Sequence, residues 1–239
     1  MKKIGIVLIV ICLMAFKPAI KDRVLIFSLT KGYHHASIAD GILAIQKLGA
    51  ENNFDVDTTT NPAKFTDADL KPYKAVIFLS PTGSFFTDEQ KSAFQNYIHK
   101  GGGFVGIHAA TDCLFEWEWY GKLVGAFFIK HPKIQQANLV INDQTNISTK
   151  MLPANWPHTD EWYNFKDVNP DIKVLISVDE KSYTGGEMNG NHPIAWYHNF
   201  EGGKAFYTAL GHTKEDFTTD TLFTQHLLGG IKYALGRKK

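Results

Sequence analysis

The sequence predicts an α/β fold, namely a doubly wound, mostly parallel sheet with antiparallel strands added in the C-terminal half. In the first half, short runs of β-branched and aromatic residues alternate with segments whose apolar residues recur at helical spacing. This strand, helix, strand rhythm is the pattern of right-handed βαβ crossovers in a sheet covered on both faces. In the second half, strand-like runs dominate, which is typical of antiparallel pairing.

Four strands are predicted in the first half of the chain, over residues 23–29, 54–59, 75–79 and 104–108. The first and the third are apolar runs that are too short for surface helices, as expected for buried strands of a parallel sheet.

Two helices are predicted between these strands. Ser37 is the N-cap of the first, which runs to about residue 53 and carries an apolar stripe at helical spacing, formed by Ile38, Ile42, Ile45 and Leu48. Thr87 and Gln90 form a capping box for the second helix, which runs to about residue 100 and ends at three consecutive glycines.

The second half of the chain predicts four more strands and one helix. The strands cover residues 135–141, 174–179, 194–199 and 204–210, and Glu201-Gly202-Gly203 is typical of a hairpin turn between the last two. A final helix is predicted from about residue 218 to residue 235. The length and the lack of linker-like segments favour one domain over residues 21–239.

The charge balance argues against two classes of partner. The chain has 25 basic and 24 acidic residues, so it lacks the basic excess that nucleic acids and anionic membranes select. We therefore expect neither as a partner.

Residues 1–20 have the composition of a secretory signal peptide. Lys2 and Lys3 precede an apolar run over residues 4–16, which is shorter than the roughly 20 residues that span a bilayer. We expect an exported protein, periplasmic or extracellular, with no stable membrane span after cleavage. The sequence lacks a clean Ala-x-Ala cleavage site, so an uncleaved anchor is the alternative.

Candidate functional residues follow the predicted strands. In open doubly wound sheets, ligands bind at the carboxyl ends of the strands. His34 and His35 follow the first strand, His108 and Asp112 follow the fourth, and His212 follows a late strand. We expect these side chains to meet on one rim.

His108, Asp112 and His212 are the candidate catalytic residues. An imidazole titrates near neutral pH, so His108 could act as a general base, a metal ligand or an orienting donor; the alternative is a histidine held by backbone in a tight turn. Asp112 could orient His108 by accepting from its other ring nitrogen, or could cap a turn. His212 could act as an acid or as a ligand.

Several motifs, in a fixed order, resemble those of one protein family. They are GYHHASI, GGGFVGIHAATD, the segment 122–126 leading to His131-Pro132, DEWY at 160–163, HPIAWYH and FYTALGHT. Together they are similar to the trehalose-utilisation (ThuA-like) family over about residues 23–235. The resemblance implies a flavodoxin-like fold of the class I glutamine-amidotransferase-like superfamily. It also implies a role in carbohydrate utilisation, with a disaccharide or glycoside as substrate, including 3-keto derivatives.

The sequence departs from that superfamily at its nucleophile. The resemblance implies a cysteine on the turn after a strand, but His108 occupies this turn and Cys113 lies five residues further on. A thiolate needs an activating base within hydrogen-bond reach, so glutaminase chemistry is not expected. Cys113 is expected to be a small buried apolar residue. A sugar-active hydrolase, lyase or isomerase is expected instead, and a non-catalytic carbohydrate-binding or sensing module is the alternative.

A small-molecule carbohydrate is the expected partner, and polar and aromatic residues near the motifs are its candidate binding residues. These are Tyr33, His34, His35, His131, Glu161, Trp162 and His192. Of the adjacent pair, His35 is favoured to face the pocket. A divalent metal such as zinc is a candidate cofactor, because imidazole is a common zinc ligand; its candidate ligands are His35, His108 and His212.

Overall fold

A computed structural model describes residues 21–237. The strands are β1 (Asp22–Phe27), β2 (Phe54–Thr59), β3 (Ala75–Leu79), β4 (Gly103–Ile107), β5 (Phe127–Lys130), β6 (Gln135–Ile141), β7 (Asn155–Asp160), β8 (Asn164–Lys166), β9 (Lys173–Val178), β10 (Pro193–Phe200) and β11 (Gly203–Thr208). The helices are α1 (Ile38–Glu51), α2 (Asp67–Leu70), α3 (Asp88–His99), α4 (Glu118–Val124), α5 (Lys214–Thr218) and α6 (Thr221–Ala234).

A nine-stranded sheet in the order β2-β1-β3-β4-β11-β10-β9-β6-β7 forms the centre of the fold. The strands from β2 to β11 are parallel to their neighbours, and the pairs from β11 to β7 are antiparallel. The predicted fold class is therefore confirmed. Within this sheet β6 and β10 run opposite to the other strands, so β1, β4, β7 and β11 all have their carboxyl ends at the same edge.

Aromatic packing fills the core beneath the parallel strands. Every residue of β3 is buried, as its continuous apolar run predicted, and every residue of β4 is buried as well. The rings of Phe27, Phe65, Phe78, Phe94 and Phe104 pack on one another with centroid separations of 4.9–6.2 Å. This packing gives the adjacent strand ends a rigid base.

The predicted elements of the first half are confirmed, with small differences at their ends. The capping box of Thr87 and Gln90 is present. Ser37 stands at the start of α1, but its Oγ donates to the carbonyl of Gly211 at 2.9 Å instead of capping the helix. Strand β4 ends at Ile107 because His108 has φ of +50°, outside the β region.

The second half differs more from the prediction. The hairpin turn at Glu201 and Gly202 is confirmed, with φ of +47° and +98°. The predicted C-terminal helix is confirmed as α6, which starts where the side chain of Asp220 accepts from the N–H groups of Leu222 and Phe223. The short helix α5, which precedes it, was not predicted. Strands β5, β7 and β8 and helices α2 and α4 were not predicted.

The predicted signal peptide over residues 1–20 lies outside the described residues. Within residues 21–237, no helix has the length and apolar character needed to cross a bilayer.

Candidate functional site

Four side chains from four strand ends form a compact cluster, which we call the histidine cluster. His35 follows β1, His108 follows β4, Glu161 follows β7 and His212 follows β11. One nitrogen or oxygen of each lies within 4.8 Å of the others. The sequence placed three of these residues on one rim, and the orientation of β7 brings Glu161 to the same edge.

His108 is the centre of the histidine cluster. Its side chain is fully buried, and its Nδ1 donates to the carbonyl of Ala209 at 2.7 Å. The neutral ring therefore carries its free lone pair on Nε2. The carbonyl of Ala209 thus takes the orienting role expected of Asp112, which is a correction to the sequence-based interpretation.

The contacts around Nε2 of His108 are short. Nε2 of His35 lies at 3.1 Å, Nδ1 of His212 at 3.2 Å, the hydroxyl of Tyr163 at 3.0 Å and Oε2 of Glu161 at 3.5 Å. Glu161 Oε2 also lies 3.2 Å from His212 Nδ1.

Burial and charge act in opposite directions within the histidine cluster. Burial would raise the pKa of Glu161, but the neighbouring imidazoles of His108 and His212 outweigh it and hold that pKa well below its usual range. Burial would lower the pKa of His212, but the Glu161 carboxylate raises it. Burial, together with the neighbouring His108 and His212, lowers the pKa of His35 to about 3. The arrangement therefore favours a Glu161 carboxylate beside a neutral His35.

Asp160 ties two strand ends of the site together. Its carboxylate accepts the N–H of Glu161 at 2.7 Å and the N–H of Gly211 at 3.0 Å. Glu161 belongs to the histidine cluster, and Gly211 directly precedes His212. Asp160 therefore fixes the distance between the carboxyl ends of β7 and β11.

A buried ion cluster lies directly behind Asp160. The ring nitrogens of His158 lie 3.1 Å from Asp216 and 3.3 Å from Asp220. Although burial opposes the charged form, these carboxylates and Asp160 raise the pKa of His158 to about 11. The imidazolium therefore offsets the aspartate charges that support the histidine cluster.

Three predicted residues lie at the exposed side of the histidine cluster. The ring of Tyr33 is 65% exposed and packs edge-on against His35. Nδ1 of His131 lies 3.1 Å from Oε1 of Glu161, and its side chain is 39% exposed. Asp112 is half-buried; burial raises its pKa to about 6, and the charges of His108, His131 and Glu161 act on it. Its carboxyl therefore lies within electrostatic range of these three side chains.

Three other predicted binding residues do not belong to the histidine cluster. Trp162 is fully buried and its Nε1 donates to the carbonyl of Gln135, so it belongs to the core. His192 is fully buried between the carbonyl of Tyr163 and Glu180, where it supports the backbone. His34 is exposed and contacts Thr30, whereas His35 is the member of the pair that enters the histidine cluster.

Cys113 is the small buried residue that the sequence predicted. It has no exposed surface, its Sγ contacts the carbonyl of Ala110 and the hydroxyl of Tyr120, and burial raises the pKa of its thiol. A thiol in this environment stays protonated near neutral pH.

Sequence reasoning missed the roles of Tyr163, Asp160 and His158. Strand β7 has alternating buried residues, but those are Trp156, His158 and Asp160. Because two of them are polar, the alternation does not register as hydrophobic periodicity. The signal that the sequence offered for Asp160 and Tyr163 was their position close to Glu161 within the DEWY motif.

The chain matches the model of one protein family over nearly all of its described length. That family is ThuA, described as trehalose utilisation, and the match covers residues 23–234. No curated protein matches the chain.

Solved structures share the fold. A ThuA-like protein from Bacteroides uniformis ATCC 8492 is 26% identical, with a TM-score of 0.78 and coverage of 94% of this chain and 96% of that one. A ThuA-like protein from Parabacteroides merdae ATCC 43184 is 21% identical, with a TM-score of 0.73 and coverage of 92% of each chain. A β-galactosidase from Bacillus circulans sp. alkalophilus is 14% identical, with a TM-score of 0.60 and coverage of 91% of this chain and 31% of that one.

Proposed function

Because the chain belongs to the trehalose-utilisation (ThuA) family, we propose that it is an enzyme of carbohydrate utilisation that acts on a disaccharide or glycoside. We propose 3-keto glycosides as its preferred substrates. The observation that supports this most is the histidine cluster at the carboxyl edge of the sheet, with His131 beside Glu161.

The chemistry proposed for the site is proton transfer next to a sugar carbonyl. A keto group acidifies the neighbouring C–H, so that elimination or isomerisation proceeds without a strong nucleophile. We assign the histidine cluster to binding the oxygen of the keto or glycosidic group. We assign Asp112 to taking up the proton of the acidified C–H and giving it back. A carboxyl group with its pKa near the working pH is suited to both taking up and giving back a proton.

Tyr33 and His131 are assigned to binding the rest of the sugar. An exposed tyrosine ring offers an apolar face and a polar hydroxyl, which suits a carbohydrate ring. His131 can accept from a sugar hydroxyl through Nε2, because its Nδ1 faces two acceptors, Glu161 and the carbonyl of Pro132, and therefore carries the proton of the neutral ring. We also propose export to the periplasm or the cell exterior, on the basis of the signal-like segment over residues 1–20.

Product analysis tests the proposed function. The purified protein is incubated with matched disaccharides and their 3-keto counterparts, and products are identified by mass spectrometry. We expect turnover of the keto forms. Saturable calorimetric binding of a sugar with no turnover of any member would contradict an enzyme and support the binding-module alternative.

An Asp112→Asn variant tests the assignment of the proton carrier. We expect kcat to fall on the order of 10²- to 10⁴-fold, the usual contribution of one general acid or base. In the unmodified protein kcat/KM should fall as the pH drops below about 6, since Asp112 becomes protonated there; the variant should lack this acid limb. The matched control is Asp55→Asn, an exposed residue at the amino-terminal end of β2. Equal activity of the two variants would remove Asp112 from the mechanism.

A further inference from the structure

The atoms of the histidine cluster have the spacing of a metal-ion coordination shell. Zinc binds imidazole nitrogen and carboxylate oxygen at about 2.0–2.1 Å in a tetrahedron, so that neighbouring ligand atoms lie about 3.3 Å apart. The separations from His108 Nε2 to the atoms of His35, His212 and Glu161 are 3.1, 3.2 and 3.5 Å. The separation between His212 and Glu161 is 3.2 Å.

Hydrogen bonds alone do not account for these contacts. His108 donates from Nδ1 to the carbonyl of Ala209, so Nε2 of the neutral ring offers one in-plane lone pair. Three groups that can donate a proton crowd around this nitrogen within 3.2 Å, from His35, His212 and Tyr163. One lone pair accepts one well-aligned hydrogen bond, so the other contacts are left without a favourable partner.

His35 shows the same conflict from its own side. Its side chain is buried, with 3% exposure, and its Nδ1 has no hydrogen-bond partner. If Nδ1 carries the proton, the lone pair of Nε2 faces the lone pair of His108 at 3.1 Å. If Nε2 carries the proton, the bare Nδ1 is buried without a donor. A cation between the two Nε2 atoms would use both of those lone pairs at once.

Two side chains of the cluster, His108 and Glu161, also have the supporting contacts that metal ligands require. The second nitrogen of His108 is fixed by a backbone carbonyl, which sets the tautomer that presents Nε2. The second oxygen of Glu161 faces Nδ1 of His131 at 3.1 Å, which leaves Oε2 directed at the cluster. The orientation of these two ligands is therefore set by the protein before any ion binds.

We propose that His35, His108, His212 and Glu161 bind one divalent transition-metal ion, for which zinc is the best match. Imidazole ligands suit zinc and its first-row neighbours, whereas magnesium prefers an all-oxygen shell. This inference rests on the proposed function for its purpose, because such an ion, on accepting a fifth ligand, would polarise the keto oxygen of a bound sugar as a Lewis acid. The ligands themselves come from the geometry alone.

Zinc binding is measured on the protein without any sugar, so it is independent of turnover. The protein is freed of metal with a chelator, titrated with zinc by isothermal calorimetry and, after desalting, analysed for metal content. We expect about one zinc per chain and no competition from a large excess of magnesium. Cobalt substituted into the site should give the intense visible absorption of a four-coordinate ion. A protein that retains no zinc, or whose zinc is displaced by magnesium, would overturn the proposal.

Variants show whether the bound ion lies in the cluster. We expect His108→Ala and Glu161→Gln to weaken zinc binding by more than about 100-fold, because even residues that only support ligands contribute 10- to 100-fold. His212→Ala, at a partly exposed position, provides the same test should His108→Ala fail to fold. The matched control is His226→Asn, which alters a buried histidine outside the cluster.

Zinc bound equally by the control and by all three ligand variants would overturn the assignment. Zinc binding without turnover would refute the proposed function and leave the metal site standing.

Discussion

His108 occupies a left-handed backbone conformation, with φ of +50°. A non-glycine residue pays of order 1 kcal/mol or more for this conformation, and it persists only where the surroundings determine it. Here the hydroxyl of Tyr207 donates to the carbonyl of His108 at 2.8 Å, and the carbonyl of Ala209 holds the ring. The strain is therefore located at the residue on which the histidine cluster converges.

His226 gives a prediction of pH-dependent stability. It is fully buried, its Nδ1 donates to the carbonyl of Ser148, and burial, with the charge of His158 adding to it, lowers its pKa to about 4. In the unfolded chain a histidine has its pKa near 6.5. Because the folded pKa is the lower one, the free energy of unfolding should fall as the pH drops from about 6.5 towards 4.

A His226→Asn variant tests this prediction, since its amide can keep the hydrogen bond to Ser148. We expect the variant to lose less stability on acidification, by up to about 3 kcal/mol. Urea unfolding at pH 7 and pH 4.5 measures the difference, with the exposed His34→Asn as control. Identical acid sensitivity of the variant and the unmodified protein would show that His226 does not titrate in this way.

At the scale of elements, Asp220 joins α6 to the buried ion cluster. One oxygen caps the helix by accepting from Leu222 and Phe223, and the other lies 3.3 Å from His158. Asp220→Ala removes both functions and should lower the free energy of unfolding by about 1–3 kcal/mol. Asp220→Asn keeps the cap, since asparagine caps as well as aspartate.

The difference between these two variants separates capping from charge. Chemical denaturation of both proteins gives the measurement, and we expect Asp220→Asn to be the more stable. If the two variants are equally unstable, the cap contributes nothing and the ion pair carries the whole effect.

The elements that could be predicted are those whose pattern is local. Buried parallel strands such as β3 are continuous apolar runs, and the Thr87 capping box specifies the start of α3. Strand β7 could not be predicted, because its buried face carries His158 and Asp160, whose burial is compensated by partners distant in sequence. Only the folded chain supplies those partners.

At the scale of the whole molecule, the histidine cluster joins segments that span most of the chain. Its residues lie at positions 35, 108, 161 and 212. An ion bound to the folded state and not to the unfolded chain stabilises it by about 2.7 kcal/mol at a concentration 100 times its Kd. We therefore expect zinc to raise Tm by roughly 5 to 10 °C.

Differential scanning calorimetry with and without zinc measures this shift. His108→Ala should show no shift, whereas Asp55→Asn should respond as the unmodified protein does. An unchanged Tm of the unmodified protein would contradict a specific folded-state site.

The site was predictable as far as topology determines it. Knowing that strand ends share one edge places His35, His108 and His212 together, and the structure does bring them together. The direction of each side chain depends on tertiary contacts that no motif contains. For this reason Trp162 and His192 were assigned to the pocket but lie in the core, and Tyr163 was not assigned.

The outermost position of β7 also affects how separate copies of the protein meet. An open sheet exposes unpaired backbone at its edges, which favours strand-to-strand aggregation. Pro157 pairs with Asn138 at a position between ladder hydrogen bonds, so its nitrogen faces the free edge and offers no proton there. The strand that delivers Glu161 to the site is thereby a poor template for addition of a further strand, which protects the protein at high local concentration.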